Sequence, residues 1–343
     1  MKKIIFLILC SILYCCKNKT NTKDYIVCSD IDFVTSQNKF LLQENIHYIN
    51  GSPNDIEIIN DSIFAISYPK LVCLYGKNGE QIRTIGSVGR ARGEYISAGA
   101  LYAVNNKLYV LCERSLKIIA YDYTTGKVLG EYKKIGKSLV DFIVKDNYIY
   151  LYGNGDLKYL KIYDISDKKI VSDFIDYNDA DELLFFNGLT EGISDFNNEI
   201  IFSKPSSFSI YKANHQGVSL IYNIRDDKYI IDNKVDAKKL MQPPYDSAIQ
   251  YTDDNSTIVG VSTHDNHIFV AAENKDISSE HKLIKKHIAI YKIDTLARKC
   301  SRKILKYPKN TVITRYCLYK NQLFYIEIAS NGQSFISKVV INL

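Results

Sequence analysis

A hairpin pattern that recurs six times constrains the fold of this 343-residue chain more than any other feature. Each copy has a polar pair, usually with Asn or Asp, then one variable residue and two large apolar residues. Asn and Asp tolerate positive φ, which the two-residue turns of β-hairpins require. The copies are Asn60–Phe64, Asn105–Tyr109, Asp146–Tyr150, Asn197–Ile201, Asp265–Phe269 and Lys320–Phe324. A hairpin that returns every 41 to 68 residues indicates a repeat protein.

A strand that ends on tyrosine follows each of the first five hairpins, and a turn and a further alternating strand come after it. These tyrosines are Tyr75, Tyr121, Tyr163, Tyr211 and Tyr291. Four antiparallel strands in each of six units are typical of a β-propeller. We therefore predict an all-β fold, a six-bladed β-propeller with four-stranded antiparallel blades. A pair of β-sandwiches is the alternative, but it does not explain why the same order of strands keeps returning.

The strand count also predicts how the ring closes. After Asn321 only two strands remain, near 322–328 and 333–341, so the last blade lacks its outer strand. An apolar segment near the N-terminus, Phe40–Ile49, is available for that place. We expect this N-terminal strand to pair with the last blade and close the ring, which leaves no large gap.

The first sixteen residues have the pattern of an export signal. Lys2 and Lys3 precede the apolar run Ile4–Tyr14, which is too short to span a membrane as a helix but suits the core of a signal peptide. The sequence Leu13-Tyr14-Cys15-Cys16 then resembles a lipobox, with leucine three residues before the cysteine that is acylated. We predict Cys16 as the lipid attachment site. An uncleaved N-terminal anchor helix is the alternative.

This pattern divides the chain into three parts. Residues 1–15 are the expected signal peptide, 16–39 the lipidated N-terminus and a polar tether, and 40–343 the propeller. The tether begins with lysines rather than with an acidic run, which favours a periplasm-facing lipoprotein of the outer membrane. A position on the cell surface stays open.

Charge and cysteine content limit the classes of partner. The formal net charge is +6, and Lys2 and Lys3 belong to the segment that we expect to be removed. No block of Lys and Arg resembles a nucleic-acid-binding arm, so we expect no nucleic-acid partner. The mature chain would keep Cys28, Cys73, Cys112, Cys300 and Cys317 besides Cys16. These five allow one disulfide, with partners that the sequence does not assign, and the odd count leaves at least one thiol free.

The segment Thr84–Tyr95 carries a family resemblance. It reads Thr-Ile-Gly-Ser-Val-Gly-Arg-Ala-Arg-Gly-Glu-Tyr. This is similar to the Gly-x-x-Gly-x-Gly-Pro-Gly-Glu-Phe/Tyr linker of the TolB-like six-bladed propeller lipoproteins of Bacteroides and relatives. Ala91 replaces the third glycine of that linker and Arg92 its proline. The resemblance extends to the lipobox and the six blades, and it implies a fold and a location but no activity.

No constellation typical of catalysis is visible in the sequence. There is no Ser/His/Asp signature, and the mature chain has no Cys-x-x-Cys pair. The spacing of His264 and His267 could suit a metal, but these residues belong to a hairpin whose turn already explains them. We assign no catalytic residue, metal ligand or cofactor. The preferred function is a binding module for an envelope protein or glycan, and the alternative is a propeller hydrolase or lyase with a metal at the channel mouth.

Strand counting also indicates which face carries the binding site. The linkers between blades and the loops between second and third strands leave on one face, and the hairpins between first and second strands lie on the other. The long insertions 176–189, 224–255 and 273–286 all belong to the first face. Because binding residues favour loops on a rigid scaffold, we expect the ligand there. The candidate residues are Arg90, Arg92, Glu94, Tyr95 and Arg114.

Overall fold

The computed structural model of the chain describes residues 25–30, 34–42, 52–153, 158–186, 192–277, 283–306 and 311–341. In chain order, its strands are β1 (Tyr25–Asp30), β2 (Val34–Leu41), β3 (Asp55–Asn60), β4 (Ile63–Tyr68), β5 (Leu71–Gly76), β6 (Gln81–Thr84), β7 (Ser87–Val88), β8 (Glu94–Tyr95), β9 (Leu101–Val104), β10 (Lys107–Cys112), β11 (Lys117–Asp122), β12 (Val128–Lys133), β13 (Leu139–Lys145), β14 (Tyr148–Gly153), β15 (Lys158–Asp164), β16 (Lys169–Asp176), β17 (Ile193–Phe196), β18 (Glu199–Lys204), β19 (Ser209–Asn214), β20 (Gly217–Arg225), β21 (Thr257–His264), β22 (His267–Ile277), β23 (Leu283–Asp294), β24 (Lys299–Lys306), β25 (Thr311–Tyr319), β26 (Gln322–Ala329) and β27 (Ser334–Ile341). The helices are α1 (Asp179–Phe186), α2 (Ala237–Leu240) and α3 (Asp246–Asp254).

These strands form the six four-stranded antiparallel blades that the repeats predict. Blades 1 to 5 are β3–β6, β9–β12, β13–β16, β17–β20 and β21–β24, and blade 6 is β25, β26, β27 and β2. The first strand of each blade contacts the first strands of both neighbouring blades, from β3 through β25 and back to β3. The six inner strands therefore surround a central axis. We call the side with the turns between first and second strands the hairpin face, and the opposite side the linker face.

The turns confirm the predicted hairpins in five blades. Asn105, Asp146, Asn197, Asp265 and Lys320 each have φ between 50° and 54° at the first turn position. Blade 1 differs, because its turn is one residue later than predicted. Asn60 pairs with Ile63, and its side-chain oxygen accepts hydrogen bonds from the backbone N–H groups of Ser62 and Ile63. That side chain stabilises the turn without positive φ.

The core is divided among the seams between blades. One apolar cluster fills each of the six seams, including the seam that closes the ring between blades 6 and 1. In that closing seam, Ile56 and Phe64 of blade 1 pack in one cluster with Phe324 and Ile336 of blade 6. Burial of one such side chain contributes about 1.5–3 kcal/mol, so each blade depends on the presence of both its neighbours.

The N-terminal strand closes the last blade as predicted, but with earlier residues. β2 pairs antiparallel with β27, from Val34 opposite Ile341 to Leu41 opposite Phe335. The predicted segment was Phe40–Ile49, and its part 43–49 lies outside the described residues. Residues 34–39 are mostly polar and lack the apolar alternation of the other strands. An outer strand can form without it, because the strand is held chiefly by backbone hydrogen bonds. The propeller therefore takes in residues that we expected to be tether.

A second N-terminal strand, β1, bridges blades 4 and 5. Tyr25–Val27 run parallel to the end of β20, and Cys28–Asp30 run parallel to the start of β24. We call β1 and β2 together the belt, because they follow the outer edges of blades 4, 5 and 6. A disulfide between Cys28 and Cys300 fastens the belt to blade 5.

A buried arginine strengthens the same junction. Arg302 Nε donates to the Asp30 carboxylate of the belt at 2.8 Å, and its Nη1 contacts the carboxylates of Asp226 and Asp227. Asp226 also accepts a hydrogen bond from Tyr291. Burial raises the pKa of Asp226, whereas the hydrogen bond from Arg302 lowers the pKa of Asp30. Arg302 thus joins β1, β24 and the chain that leaves β20.

The three long insertions meet on the linker face, as the strand order predicts. Ala237 N donates to Asp179 Oδ2 at 2.9 Å, and Leu183, Ala248 and their neighbours on α1, α2 and α3 form one apolar cluster. Lys286 Nζ lies 3.2 Å from the Asp253 carboxylate at the end of α3. In the parts of the chain that the structure describes, no helix is long and apolar enough to cross a membrane.

Reduction of the Cys28–Cys300 disulfide should destabilise the propeller. The bond joins positions 272 residues apart, and by the chain-entropy argument it contributes about 3–5 kcal/mol to the free energy of unfolding. We expect dithiothreitol to lower the melting temperature of the wild type in differential scanning calorimetry. A Cys28→Ser/Cys300→Ser variant is the control and should melt lower with or without reductant. A wild-type protein that melts alike in both conditions would show that the bond adds no stability.

Candidate functional site

A cavity of about 420 Å³ lies on the propeller axis. Residues from the inner strands of all six blades line it. Its walls reach Asn105 and Lys320, which stand in the hairpin turns of blades 2 and 6, so the cavity extends to the hairpin face. The volume lies within the range of small-ligand sites, about 300–1,000 Å³. We call it the axial cavity and treat it as the candidate site.

Three carboxyl groups lie inside the axial cavity. Asp55 is buried and accepts the backbone N–H groups of Ile56 and Leu101 at 2.7 and 2.6 Å. Glu57 accepts the backbone N–H of Ala103 at 2.7 Å. Asp141 accepts the backbone N–H of Phe142 at 2.7 Å. Leu101 and Ala103 belong to the neighbouring blade, so Asp55 and Glu57 also tie blade 1 to blade 2.

Burial raises the pKa of Glu57 well above that of an ordinary carboxyl group, and the charges of Asp55 and Asp141 raise it further. The pKa of Asp141 is likewise raised well above its usual value, by burial and then by Asp55. In both cases backbone N–H groups oppose the rise. Carboxyl groups on the inner strands of blades 1 and 3 therefore make the cavity a place where negative charge is costly and a cation would be favoured.

The mouth of the cavity combines both signs of charge. The Asp195 carboxylate, on blade 4, forms an ion pair with Lys145 at the end of β13. Lys145 Nζ also donates to the Asn197 carbonyl oxygen at 2.8 Å, within the hairpin turn of blade 4. Lys320 lies beside Tyr319, with Nζ 4.9 Å from the ring centroid. An entering ligand would thus pass lysines before it reaches the inner carboxyls.

Two of the residues proposed from the sequence have structural contacts. The Tyr95 hydroxyl donates to the Ile85 carbonyl oxygen at 2.9 Å and accepts the Val72 N–H at 3.2 Å, and its side chain is fully buried. The Glu94 carboxylate accepts the Ala91 N–H at 2.8 Å within its own loop. Neither residue lines the axial cavity.

The three arginines of that proposal are exposed. Arg90 and Arg92 lie on the loop between β7 and β8, and Arg114 lies on a 3₁₀ turn between β10 and β11. The first loop packs against the outer part of blade 2, because Gly93 N donates to Glu131 and Tyr121 donates to the Gly93 carbonyl. The structure therefore brings none of the five residues to the axis. A ligand role for the arginines stays a prediction.

Asp55, Glu57 and Asp141 were not predicted from the sequence as site residues. A signal was present, since each stands three to five residues before a hairpin, in a strand that is otherwise apolar. An acidic residue in the inner strand of a propeller points at the axis or at a neighbouring blade. That distinction depends on strand twist and register, which the pattern does not give.

The histidine spacing belongs to a turn, as interpreted from the sequence. Asp265 has φ of 51°, and His264 pairs with His267 across the turn. Burial lowers the pKa of His267, which favours its neutral form. Within the described ranges, no three side chains of His, Cys, Asp or Glu are arranged to hold a metal ion.

Replacement of the two half-buried cavity carboxyls should change how stability depends on pH. A carboxyl group with a raised folded-state pKa stabilises the fold while protonated, and that contribution is lost as pH rises above the unfolded value of about 4. A Glu57→Gln/Asp141→Asn variant keeps the acceptor oxygens. We expect it to match the wild type near pH 4 and to exceed it by about 1 kcal/mol near pH 8, after allowance for solvent in the cavity.

Urea unfolding of both proteins between pH 4 and pH 8 measures this difference. Asp122→Asn is the control, because this exposed carboxyl has a lowered pKa and should give the opposite sign. A difference between variant and wild type that does not grow with pH would contradict the electrostatics of the cavity.

Comparison with known proteins supports the fold. A structure from Bacteroides fragilis NCTC 9343, named "Putative exported protein", matches with a TM-score of 0.61 and 14% sequence identity, over 93% of this chain and 100% of that chain. The computationally designed Ika8 protein matches with a TM-score of only 0.45 and 12% identity, over 84% of this chain and 83% of that chain, which is too low a similarity to bear on the fold. No curated protein matches the sequence.

At these levels of identity, the structural likeness bears on the fold alone. The family evidence comes from sequence. The model of the family DUF5128, described as "6-bladed beta-propeller", matches residues 17–259, which is more than half of the chain. The chain therefore belongs to the DUF5128 family of six-bladed β-propellers.

Proposed function

We propose that this protein is a binding module of the cell envelope, which receives an amino-bearing end of a glycan or protein in its axial cavity. The observation that supports this proposal is the set of carboxyl groups of Asp55, Glu57 and Asp141 inside a cavity that reaches the hairpin face. Carboxylates that accept charged N–H donors form hydrogen bonds about twice as strong as neutral ones. An ammonium group is the ligand chemistry that best suits this lining.

The electrostatics of the axial cavity favour such a ligand. Glu57 and Asp141 accept hydrogen bonds from backbone N–H groups, which do not compensate the charge of an ionised carboxylate. A bound cation would lower the raised pKa values of both groups and so recover part of the cost of burying them. As long as the amine stays protonated, binding should therefore release protons from the carboxyl groups and become tighter as pH rises.

The proposed location is the outer membrane, with a lipid on Cys16. The leader 1–15 and the lipobox support it, and the Cys28–Cys300 disulfide suits an oxidising compartment outside the cytosol. The name of the similar Bacteroides fragilis protein points the same way. On this proposal the protein is a periplasm-facing relative of the TolB-like lipoproteins, tethered by the residues that precede β1.

The linker face is a second surface to test. Arg90 and Arg92 are exposed, and a pair of guanidinium groups suits a carboxylate or phosphate of a partner. These arginines lie away from the axis, on a loop that packs against blade 2. Their replacement should consequently leave ligand binding in the axial cavity unchanged.

Glucosamine should bind more tightly than N-acetylglucosamine, because only the amine carries a charge that the carboxylates can pair. We expect a difference of about tenfold or more, the value of one charge-assisted hydrogen bond. Isothermal titration calorimetry in two buffers with different heats of ionisation measures affinity and proton release together. The Glu57→Gln/Asp141→Asn variant should lose the preference, and Arg90→Ala/Arg92→Ala should keep it. Equal affinity of the wild type for both sugars would overturn the ammonium assignment.

Metabolic labelling with an alkyne fatty acid tests the anchor. The wild type should carry label and fractionate with membranes, because two or three acyl chains hold a protein firmly at a bilayer. Cys16→Ala should abolish the label, whereas Cys15→Ala should retain it. Label that persists in the Cys16→Ala variant would assign the lipid to another residue.

A further inference from the structure

A second cavity, of about 300 Å³, lies at the joint between blades 6 and 1. Its apolar floor includes Ile58, Phe64 and Phe324, which are buried except for a small area. Phe64 stacks on Tyr75, with 5.4 Å between ring centroids, so the floor is held by packing. We call this space the joint cavity. It lies on the hairpin face, since the turn residues Asp61 and Ser62 line it.

The rim of the joint cavity is basic. Lys77 lies in the exposed turn after β5, and Lys338 lies half-buried on β27 with its Nζ 5.5 Å from the Phe324 ring centroid. Among the described residues, neither lysine forms an ion pair. The amide side chains of Asn78 and Gln322 share the rim. Two ammonium groups and two amides thus surround a floor that has two phenyl rings.

The carboxylate of Asp61 limits how much negative charge a ligand of the joint cavity can carry. Asp61 stands in the same lining, so the two lysines leave a net charge of about +1. A ligand with a single negative charge fits this balance, whereas a second charge would face Asp61. A ring or a short alkyl chain of a ligand that lies on this floor is shielded from water. Each Å² of apolar surface buried in this way contributes about 25 cal/mol to the binding free energy.

We propose that the joint cavity binds a small monoanion with an apolar body, of the aromatic carboxylate or sulfonate class. The aromatic body lies on Phe64 and Phe324, and the anionic group pairs with Lys77 and Lys338. This site is separate from the axial cavity, although Ile58 lines both. The two cavities have opposite charge, so they select different ligands on one face of the propeller.

The proposal is tested with 1-naphthoate and its neutral counterpart 1-naphthamide, titrated into the mature protein by equilibrium fluorescence. Naphthoate should bind at least about tenfold more tightly, because only its carboxylate forms charge-assisted hydrogen bonds. Lys77→Gln and Lys338→Gln should each weaken naphthoate binding by about tenfold and leave naphthamide binding unchanged. Added salt should reduce the preference.

Lys127→Gln is the matched control, because Lys127 occupies the corresponding exposed turn of blade 2 and does not line the joint cavity. It should bind naphthoate like the wild type. The Glu57→Gln/Asp141→Asn variant separates this proposal from the proposed function and should also bind naphthoate normally. Equal binding of the two probes, or unchanged binding in both lysine variants, would overturn the proposal. Loss of naphthoate binding in the Glu57/Asp141 variant would place the anion in the axial cavity instead.

Discussion

The pairing of β2 with β27 is the interaction on which the rest of the structure depends. A blade exposes apolar residues on both faces, and only a closed ring covers all twelve faces. Blade 6 has three strands from the C-terminal end of the chain and takes its fourth from residues 34–41. The seam that this blade forms with blade 1 contains Ile56, Phe64 and Phe324. The pairing of the two chain ends therefore holds together the apolar interface between the first and the last blade.

Closure also produces both candidate sites. The inner strands meet around an axis only when the ring is complete, and the axial cavity takes lining residues from every blade. The joint cavity lies at the seam that closes the ring, between Phe64 of blade 1 and Phe324 of blade 6. Carboxyl groups such as Glu57 and Asp141 lower stability at neutral pH, because burial opposes their ionisation. The apolar packing in the six seams offsets this loss of stability. Buried groups with shifted pKa values that lower stability are frequent at ligand-binding sites.

The repeats in the sequence predicted the parts of the fold that depend on residues close together in the chain. Turn residues with positive φ, such as Asn105 and Asp265, determine hairpins within a few residues, so the blades and their order followed from the sequence. The pairing between strands that lie far apart in the chain was harder to predict from the sequence. β1 pairs in parallel with two strands that lie about 200 and 270 residues away, and the contacts are mainly backbone hydrogen bonds that leave no side-chain pattern. The Cys28–Cys300 partners were unassignable for the same reason, because they depend on that pairing.

Hydrogen exchange with mass spectrometry tests the account of closure most directly. The mature protein is compared with a chain that begins at residue 42 and so lacks the belt. The account predicts that β27 loses its outer partner β2 and that amides of β25, β26 and β27 exchange much faster, followed by those of blade 1 across the closing seam. Protection that stays the same in all these strands would contradict it, because the ring would then be closed without β2.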